Sequence, residues 1–120
     1  MPKRRNIIVL VDEADKQIGT CDKLKAHRLG LRHRAISIVL KNSDNELLIQ
    51  RRADTVYHSP SLWANTCCSH PMVGESALAA ANRRLLEELD IDCELEWKRY
   101  HSYNEKVGSN LIENEFVHVF

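Results

Sequence analysis

The first half of the chain carries a pattern of hydrophobic and polar positions that predicts three strands. Ile7 to Leu10 is a run of β-branched and aliphatic residues, and the polar segment 12–16 closes it as a turn. Residues 35–40 predict a second strand, and the segment 42–45 predicts a turn. Residues 46–50 are then expected to return as the hairpin partner of that strand.

The clearest helix signal begins at Ser76, a residue type that favours the N-cap position, and ends at Leu89. Apolar residues at helical spacing predict one buried stripe, formed by Leu78, Ala81, Leu85 and Leu89. The charged residues of the segment are expected on the other faces, and they are Arg83, Arg84, Glu87 and Glu88. The segment therefore predicts an amphipathic helix.

The second half of the chain predicts two further strands, Ile91 to Trp97 and Leu111 to Phe120, and residues 53–62 predict a loop. The last strand stays hydrophobic to the final residue, whereas ordinary domains end in polar, fraying residues. We therefore expect the chain to lack a C-terminal part. Such an exposed apolar edge strand would pair with another copy, so we expect a monomer or a weak homodimer.

Composition is that of an ordinary globular protein. The 120 residues are 43% hydrophobic and 28% charged, which argues against disordered, collagen-like and coiled-coil proteins. The longest apolar run, Ile7 to Val11, is far too short to cross a membrane. We expect a single domain over residues 1–120 with no membrane partner.

Charge is balanced overall but unequal along the chain. Residues 1–60 hold 12 basic and 7 acidic side chains, and residues 61–120 hold 5 and 10, so the halves carry +5 and −5. The zero net charge argues against non-specific nucleic-acid binding as the main task. The split suggests that the halves meet at one site around an anionic ligand, although drift alone also produces such asymmetry.

The four cysteines predict free thiols. They form no CxxC pair and have no zinc-ribbon spacing, and two of them, Cys67 and Cys68, are adjacent. Neighbouring residues of a strand face opposite ways, so one of this pair is expected to be buried. Free thiols indicate a reducing compartment, and we expect a cytoplasmic protein.

Three groups of residues could carry chemistry. Glu113 and Glu115 share one face of the last strand, where two carboxylates repel unless a cation or a proton lies between them; a solvated strand face is the alternative. Neutral imidazoles together with carboxylates suit zinc, manganese or similar divalent ions. The candidate imidazoles are those of His27, His33 and His70. Cys68, two residues before His70, could be a nucleophile, a proton donor or a metal neighbour.

The segment 69–91 resembles a degenerate Nudix box, the helix-borne motif that holds magnesium against a diphosphate. The matching residues are Glu75, Arg83, Leu85, Glu87, Glu88 and Ile91. Ser69 and Asp90 replace the two glycines of the motif, and Arg84 replaces a glutamate of its metal-binding cluster. A positive charge at that point favours diphosphate binding over diphosphate cleavage.

The chain from about Ile7 to Phe120 resembles type 1 isopentenyl-diphosphate delta-isomerases, a Nudix-fold family. The most specific motifs are Cys68-Ser69-His70-Pro71 and Glu113-Asn114-Glu115. The other matching residues are Lys23, His27, His33, Arg51, Arg52, Ala53, Asn65, Thr66, Cys67, Gly74, Glu75, Ser76, Arg83, Arg84, Glu87, Glu88, Leu89 and Tyr103. The resemblance implies an α+β fold, an α/β/α sandwich in which helices flank a mixed sheet.

The resemblance also implies an activity, the conversion of isopentenyl diphosphate to dimethylallyl diphosphate in isoprenoid biosynthesis. This reaction protonates an unactivated alkene and removes a proton from the other side of the resulting tertiary carbocation. A closed, mostly apolar site with acid and base on opposite faces of a flat substrate would serve it. By motif, Cys68 is the thiol on one face and Glu115 is the carboxylate on the other. Tyr103 is then a proton relay or hydrogen-bond donor beside Glu115.

Cofactors are implied in the same way. The residues that look like the family's metal site, which accepts zinc, manganese or magnesium, are His27, His33, His70, Glu113 and Glu115. A second ion, magnesium, is implied between Glu88 and the diphosphate. The residues that resemble the family's diphosphate clamp are Lys23, Arg52 and Arg84.

Two other functions stay open at this point. A Nudix hydrolase would release phosphate from a nucleoside-diphosphate derivative, although Arg84 argues against it. An inactive metal-binding fragment is favoured by the expected loss of a C-terminal part, because family members continue with further strands, a C-terminal helix and an aromatic residue over the carbocation. The loop after Arg52 also departs from the family, since it has no lysine to contact the diphosphate.

Overall fold

The chain folds around one mixed sheet, as shown by a computed structural model that describes residues 6–51, 63–64, 66–107 and 111–120. The strands, in chain order, are β1 (Ile7–Val11), β2 (Gln17–Asp22), β3 (His33–Ile38), β4 (Leu40–Lys41), β5 (Leu47–Leu48), β6 (Gln50–Arg51), β7 (Trp63–Ala64), β8 (Cys67–Ser69), β9 (Arg99–Val107) and β10 (Leu111–Val119). The helices are α1 (Lys23–Leu29) and α2 (Ala77–Leu89). Within these ranges, β4 with β5 and β6 with β7 form two small separate ladders.

β3 is the central strand of the main sheet. The order of the strands is β2-β1-β3-β10-β9, and β8 also pairs with β3. One edge of β3 pairs in parallel with β10, and His33 lies opposite Glu115 in that register. The other edge is shared, because β1 pairs at His33 and β8 pairs only from Ile36 onward. β1 and β8 therefore diverge beside the first half of β3.

The two helices lie on opposite faces of this sheet. α2 packs on the face of Ile36, and the main core there consists of Ile36, Ile38, Cys67, Ala80, Ala81, Leu85 and Phe120. Alternate strand residues point to opposite faces, so His33 lies on the other face. The ring of His27 in α1 contacts the ring of His33, with their centroids 5.0 Å apart, and this contact places α1 on that second face. Neither helix of the described ranges has the length and apolar character needed to cross a bilayer.

Several elements lie where the sequence predicts them, and the α+β class is confirmed. β1 and β10 fall on the first and last predicted strands, and β4 and β5 pair as the predicted hairpin. α2 begins after Ser76, whose hydroxyl accepts a hydrogen bond from the Ala79 N–H at 3.1 Å, and it ends at Leu89. The second predicted strand begins two residues earlier, at His33, and is interrupted at Val39. The predicted loop 53–62 lies outside the described residues.

The prediction of a strand over Ile91 to Trp97 is wrong. Apolar residues alternate along this segment, but the chain is irregular there, and Ile91 and Leu95 pack against the α2 core. The strand forms later as β9, which pairs with β10 along its whole length. An alternating pattern forms a strand only where the edge of another strand is available for pairing. In this segment the apolar side chains pack against the helix instead.

The buried face of α2 is also rotated from the predicted stripe. Leu78 is 45% exposed, whereas Ala80 is fully buried. Arg84 and Glu88 turn toward β8, where hydrogen bonds satisfy their polar groups. Apolar spacing alone does not reveal this rotation.

β10 is an interior strand, so the predicted exposed edge strand is wrong. β3 pairs along one side of β10 and β9 along the other. Phe120, directly after β10, is buried, and its N–H donates to the Ser37 carbonyl at 2.9 Å. Self-association argued from that edge therefore loses its basis.

Candidate functional site

Three histidines and one glutamate converge on the sheet face opposite α2. One ligand atom from each of the four lies within 4.8 Å of the others, and the residues are His27, His33, His70 and Glu115. β3 and β10 present His33 and Glu115 from facing positions, α1 presents His27, and His70 directly follows β8. His27 and His33 have no exposed surface, and Glu115 is 7% exposed. The topology thus gathers four side chains of metal-ligating types from distant parts of the chain into one largely buried group.

Backbone carbonyls orient two of the imidazoles. Nδ1 of His27 donates to the Lys23 carbonyl at 2.8 Å, one helical turn earlier. Nδ1 of His33 donates to the Leu31 carbonyl at 2.9 Å. Because each ring carries its proton on Nδ1, the neutral form presents a lone pair on Nε2. This arrangement is typical of metal-ligating histidines, which donate the other ring N–H to a carbonyl or carboxylate.

The Glu115 carboxylate is the meeting point of the group. Nε2 of His33 and Nε2 of His70 both lie 3.0 Å from Oε2 of Glu115. Burial acts to raise the pKa of Glu115, but the hydrogen bonds from His33 and His70 outweigh it and hold that pKa well below its ordinary value. Burial lowers the pKa of His70 and also that of His27. The Glu115 carboxylate is therefore ionised at the centre of the group.

This donor set fits a divalent metal ion. Zinc bonds to imidazole nitrogen and carboxylate oxygen are about 2.0–2.2 Å long, so ligand atoms around one ion lie about 3–4 Å apart. The 3.0 Å distances to Glu115 and the 4.8 Å limit for the whole group match that spacing after small side-chain rotations. Nitrogen and carboxylate ligands suit zinc and manganese alike.

Two predicted members of the site are not among the four residues found to converge in the described part of the chain. Glu113 lies opposite Glu105 in the β9–β10 ladder and is not among the four described residues that converge. Tyr103 occupies the position opposite Glu115 in the same ladder, but its side chain lies outside the described part of the chain. Their roles as a fifth ligand and a proton relay stay predictions.

The adjacent cysteines face opposite sides of β8, as expected for neighbours in a strand. Cys67 is fully buried and donates its S–H to Oε2 of Glu88 at 3.0 Å. Burial, together with that hydrogen bond, raises the pKa of Cys67 to about 12. Cys68 is exposed, and its sulfur lies 3.5 Å from the hydroxyl of Ser37. Cys68 is thus the thiol that a ligand can reach.

The side chains of Cys68 and Glu115 lie on the same face of the sheet, beside different residues of β3. Cys68 lies opposite Ser37, and Glu115 lies opposite His33, four residues away along the strand. Four strand residues span about 13 Å. A small molecule on this face therefore has room between the thiol and the carboxylate.

A positively charged pocket of about 240 Å³ adjoins the four-residue group. Its lining residues are Asn6, Lys23, Ser69, His70, Met72, Arg83 and Arg84. His70 belongs to both the pocket and the buried group. Lys23 comes from the basic half of the chain and the two arginines come from the acidic half, so the halves meet here. Three cations around one open pocket favour an anionic ligand.

The arginines of the pocket are held by carboxylates. Arg83 donates to both oxygens of Glu75, at 2.8 and 2.9 Å, and to Glu87 at 2.8 Å. Hydrogen bonding from Arg83 holds the pKa of Glu75 below its ordinary value. The family resemblance implies Lys23 and Arg84 as members of a diphosphate clamp. Arg83 also lines the pocket, although the sequence analysis did not predict that it binds the diphosphate. Arg52, the third predicted member of the clamp, lies outside the described residues.

Arg84 links the pocket to the middle of α2 and to β8. It donates to the Ser69 hydroxyl at 3.1 Å, to Glu87 at 3.3 Å and to Oε2 of Glu88 at 3.2 Å. The same Glu88 oxygen accepts the Cys67 thiol. The carboxylate that the motif assigns to magnesium is thus oriented by one cation and one buried thiol.

Comparisons with known proteins identify the family and the relatives of this chain. A family model for the NUDIX domain matches residues 31–120. The Isopentenyl-diphosphate Delta-isomerase 2 of Aromatoleum aromaticum is 51% identical over 113 residues, which are 94% of this chain and 60% of that protein. The protein of the same name from Photorhabdus laumondii is 48% identical over 114 residues, 95% of this chain and 64% of that protein. The chain therefore spans about three fifths of the length of these curated relatives.

The fold also has a counterpart among solved structures. The crystal structure of DR0079 from Deinococcus radiodurans superposes with a TM-score of 0.73 over 94% of this chain and 68% of that one. The sequence identity is 23%, so the likeness concerns the fold alone. It is a likeness in the arrangement of sheet and helices described above.

Proposed function

Because this chain belongs to the NUDIX domain family, we propose that its cationic pocket binds a diphosphate and that it isomerises isopentenyl diphosphate to dimethylallyl diphosphate. One observation carries the proposal: the His/Glu group and the cationic pocket share His70, and the exposed Cys68 thiol comes two residues before it in the chain. The names of the curated relatives, at about half identity, support this substrate.

His27, His33, His70 and Glu115 would hold a divalent ion, with zinc, manganese and magnesium as the candidates and Glu113 as a further ligand. Such an ion, when bound, supplies positive charge that keeps the Glu115 carboxylate ionised and oriented. The protein supplies the rest of the site, since backbone carbonyls already fix the rings of His27 and His33.

Cys68 and Glu115 would exchange protons with the substrate from either side. One group donates a proton to the terminal alkene carbon, and the other accepts a proton from the carbon on the far side of the tertiary carbocation. The substrate gains one proton and loses one, so its composition is unchanged. Tyr103, opposite Glu115 in the ladder, would relay the proton or donate a hydrogen bond. Acid–base groups placed in this way contribute about 10²–10⁴-fold each to a rate.

The diphosphate would lie in the cationic pocket. Lys23 and Arg84 line it, and we propose Arg52 as the third member of the clamp. Glu88 would carry a magnesium ion against the diphosphate, at the point where Arg84 and Cys67 orient its carboxylate. Guanidinium groups suit this ligand because their paired N–H donors match phosphate oxygens.

We further propose that residues 1–120 act as one NUDIX domain on a small-molecule diphosphate in the cytoplasm, without nucleic-acid or membrane partners. All four cysteines are free thiols: Cys67 is buried, Cys21 is half-buried, and Cys68 and Cys93 are exposed. Free thiols support a reducing compartment. Zero net charge supports the absence of a nucleic-acid partner.

The test is conversion of isopentenyl diphosphate by the purified chain, with zinc and magnesium supplied, followed by proton NMR of the allylic product. Cys68→Ala and Glu115→Gln are each expected to abolish turnover while the substrate still binds. Cys93→Ala is the matched control, because it removes an exposed thiol elsewhere. Full activity in either site variant would refute the mechanism.

Two other results would redirect the assignment. Release of phosphate from a panel of nucleoside-diphosphate derivatives would indicate a hydrolase if that release depends on Glu87 and Glu88. The ion pairs of Arg84 with both carboxylates argue against this outcome. Metal binding without any turnover would indicate a metal-binding fragment.

A further inference from the structure

Asn114 lies between the two glutamates of the Glu-Asn-Glu segment and has no part in the site as described so far. Its side-chain Nδ2 donates to the Gly30 carbonyl at 2.9 Å. Gly30 is the C-cap of α1, with a φ of 69° that glycine adopts without strain. This hydrogen bond therefore joins β10 to the junction between α1 and β3.

That junction carries a histidine of the buried group on each side. His27 lies three residues before Gly30, and His33 lies three residues after it. The N–H groups of Gly30 and Leu31 both bond to the Ala26 carbonyl, and the Leu31 carbonyl in turn accepts from the His33 ring. The backbone around Gly30 thus sets the positions of both imidazoles.

Asn114 acts just beyond the end of the β3–β10 ladder. The paired residues of that ladder begin at His33 and Glu115. Continued backwards in the same register, Gly30 comes to lie beside Ile112, and a Cβ placed on Gly30 would be 3.2 Å from Cδ1 of Ile112. The Asn114 amide supplies a hydrogen bond where the regular pairing has stopped.

We propose that Asn114 is a positioning residue of the metal centre, which keeps His27 and His33 at their distance from Glu115 by fixing the Gly30 carbonyl to β10. The inference rests on the proposed metal binding. Without the bond, the α1–β3 junction loses its side-chain hydrogen bond to β10, and the two imidazoles are held less firmly relative to the carboxylate. Outer hydrogen-bond partners of metal ligands typically change metal affinity by about 10–100-fold.

The test is the zinc affinity of the whole chain, measured by competition with a chromophoric chelator, so that it does not depend on turnover. Asn114→Asp keeps the shape of the side chain but removes the amide donor, and we expect it to raise the zinc Kd by about 10–100-fold. Asn104→Asp is the matched control, since Asn104 lies exposed on β9 directly opposite Asn114 and gains the same charge. The control is expected to bind zinc as the wild type does.

Two further variants separate charge and shape from donor loss. Asn114→Ala removes the amide without adding charge and carries the same expectation, so it replaces Asn114→Asp if that variant fails to fold. Asn114→Gln keeps an amide donor on a longer side chain and is expected to recover part of the affinity. A thermal melt with and without zinc accompanies each titration, because a purely structural role would lower the Tm of the metal-free protein and leave the zinc-induced rise unchanged.

Each outcome bears on a distinct claim. Wild-type zinc affinity in folded Asn114→Asp and Asn114→Ala overturns the positioning role and leaves the metal centre standing. A wild-type chain that binds no zinc, manganese or magnesium at the His/Glu group overturns the metal centre and this inference with it.

Discussion

His33 and Glu115 face each other across two parallel strands although 82 residues separate them in the chain, and Nε2 of the one lies 3.0 Å from Oε2 of the other. Side chains alternate between the two faces of a sheet, so a shift of one residue in this register would send Glu115 toward the α2 face. The chemistry proposed for the molecule thus depends on the alignment of β3 with β10.

Metal removal is expected to destabilise the protein. The group of four ligands exists only in the folded chain, so an ion that binds there stabilises the native state by mass action. At a free zinc concentration 100 times the Kd, the gain is about 2.7 kcal/mol. Urea unfolding with zinc and with a chelator measures this difference. His27→Asn should reduce it, whereas substitution of the exposed His101 should not; equal stability in both media would contradict the metal centre.

The two adjacent thiols are expected to react very differently. Cys68 is exposed, whereas Cys67 is fully buried with a pKa raised to about 12, so it stays a protonated thiol at about pH 8. Iodoacetamide should therefore label Cys68 in the native protein and Cys67 only after unfolding, as fragment-ion mass spectrometry can show. Cys93, which is exposed, serves as the internal control. Native labelling of Cys67 ahead of Cys68 would reverse the assignment of the two faces of β8.

The ion pair of Glu75 with Arg83 makes stability depend on pH in the acid range. Hydrogen bonding from Arg83 lowers the pKa of Glu75 in the folded state below its ordinary 4.5. A lowered carboxyl pKa means that the unfolded chain binds more protons near that pH, so this contribution is present above 4.5 and is lost as the pH falls through the folded value. Unfolding free energy from about pH 6 to about pH 3.5 should fall more steeply in the wild type than in Glu75→Gln.

The matched control for this titration is Glu96→Gln. Glu96 pairs with Lys98 on the surface, where both side chains are largely exposed, and such pairs contribute little. Its pH profile should therefore follow that of the wild type. A Glu75→Gln profile parallel to the wild type would show that the bidentate contact does not stabilise the fold.

Arg84 is expected to govern the affinity for diphosphate. It lines the pocket and contacts Ser69, Glu87 and Glu88 at once through three nitrogens of its planar guanidinium. Arg84→Ala should weaken the binding of inorganic pyrophosphate with magnesium by about tenfold or more, and Arg84→Lys should not restore it. Calorimetric titration measures this loss. Arg28→Ala, which removes the same charge from an exposed site outside the pocket lining, should bind as the wild type does.

Local elements with strong end signals could be predicted from the sequence. α2 follows from the Ser76 cap and thirteen residues of helical pattern, and β1 follows from its aliphatic run. α1 was not predicted, because seven residues are too few to establish a period. Its signals were at the ends: Asp22 accepts a hydrogen bond from the Lys25 N–H at 3.1 Å, and Gly30 closes the helix.

The site residues could be named from motifs, but their arrangement could not be derived from local pattern. Nothing near His33 specifies that it will lie opposite Glu115, since the parallel pairing of two remote strands is decided by the packing of the whole sheet. The contact of Glu88 with Cys67 could not be derived for the same reason, since 21 residues separate the two along the chain. Arg83 could have been found by its spacing from Glu75, eight residues earlier, across the start of α2.

The shared use of β3 by β1, β8 and β10 has a consequence for the order of synthesis. His27 and His33 leave the ribosome early, but Glu115 follows only after some eighty further residues, and the strand that carries it is the parallel neighbour of β3. Closing so long a loop costs conformational entropy, so we expect this pairing to form late in folding. During translation the three histidines are therefore synthesised well before Glu115, and the four-residue group is complete only once β10 has paired with β3.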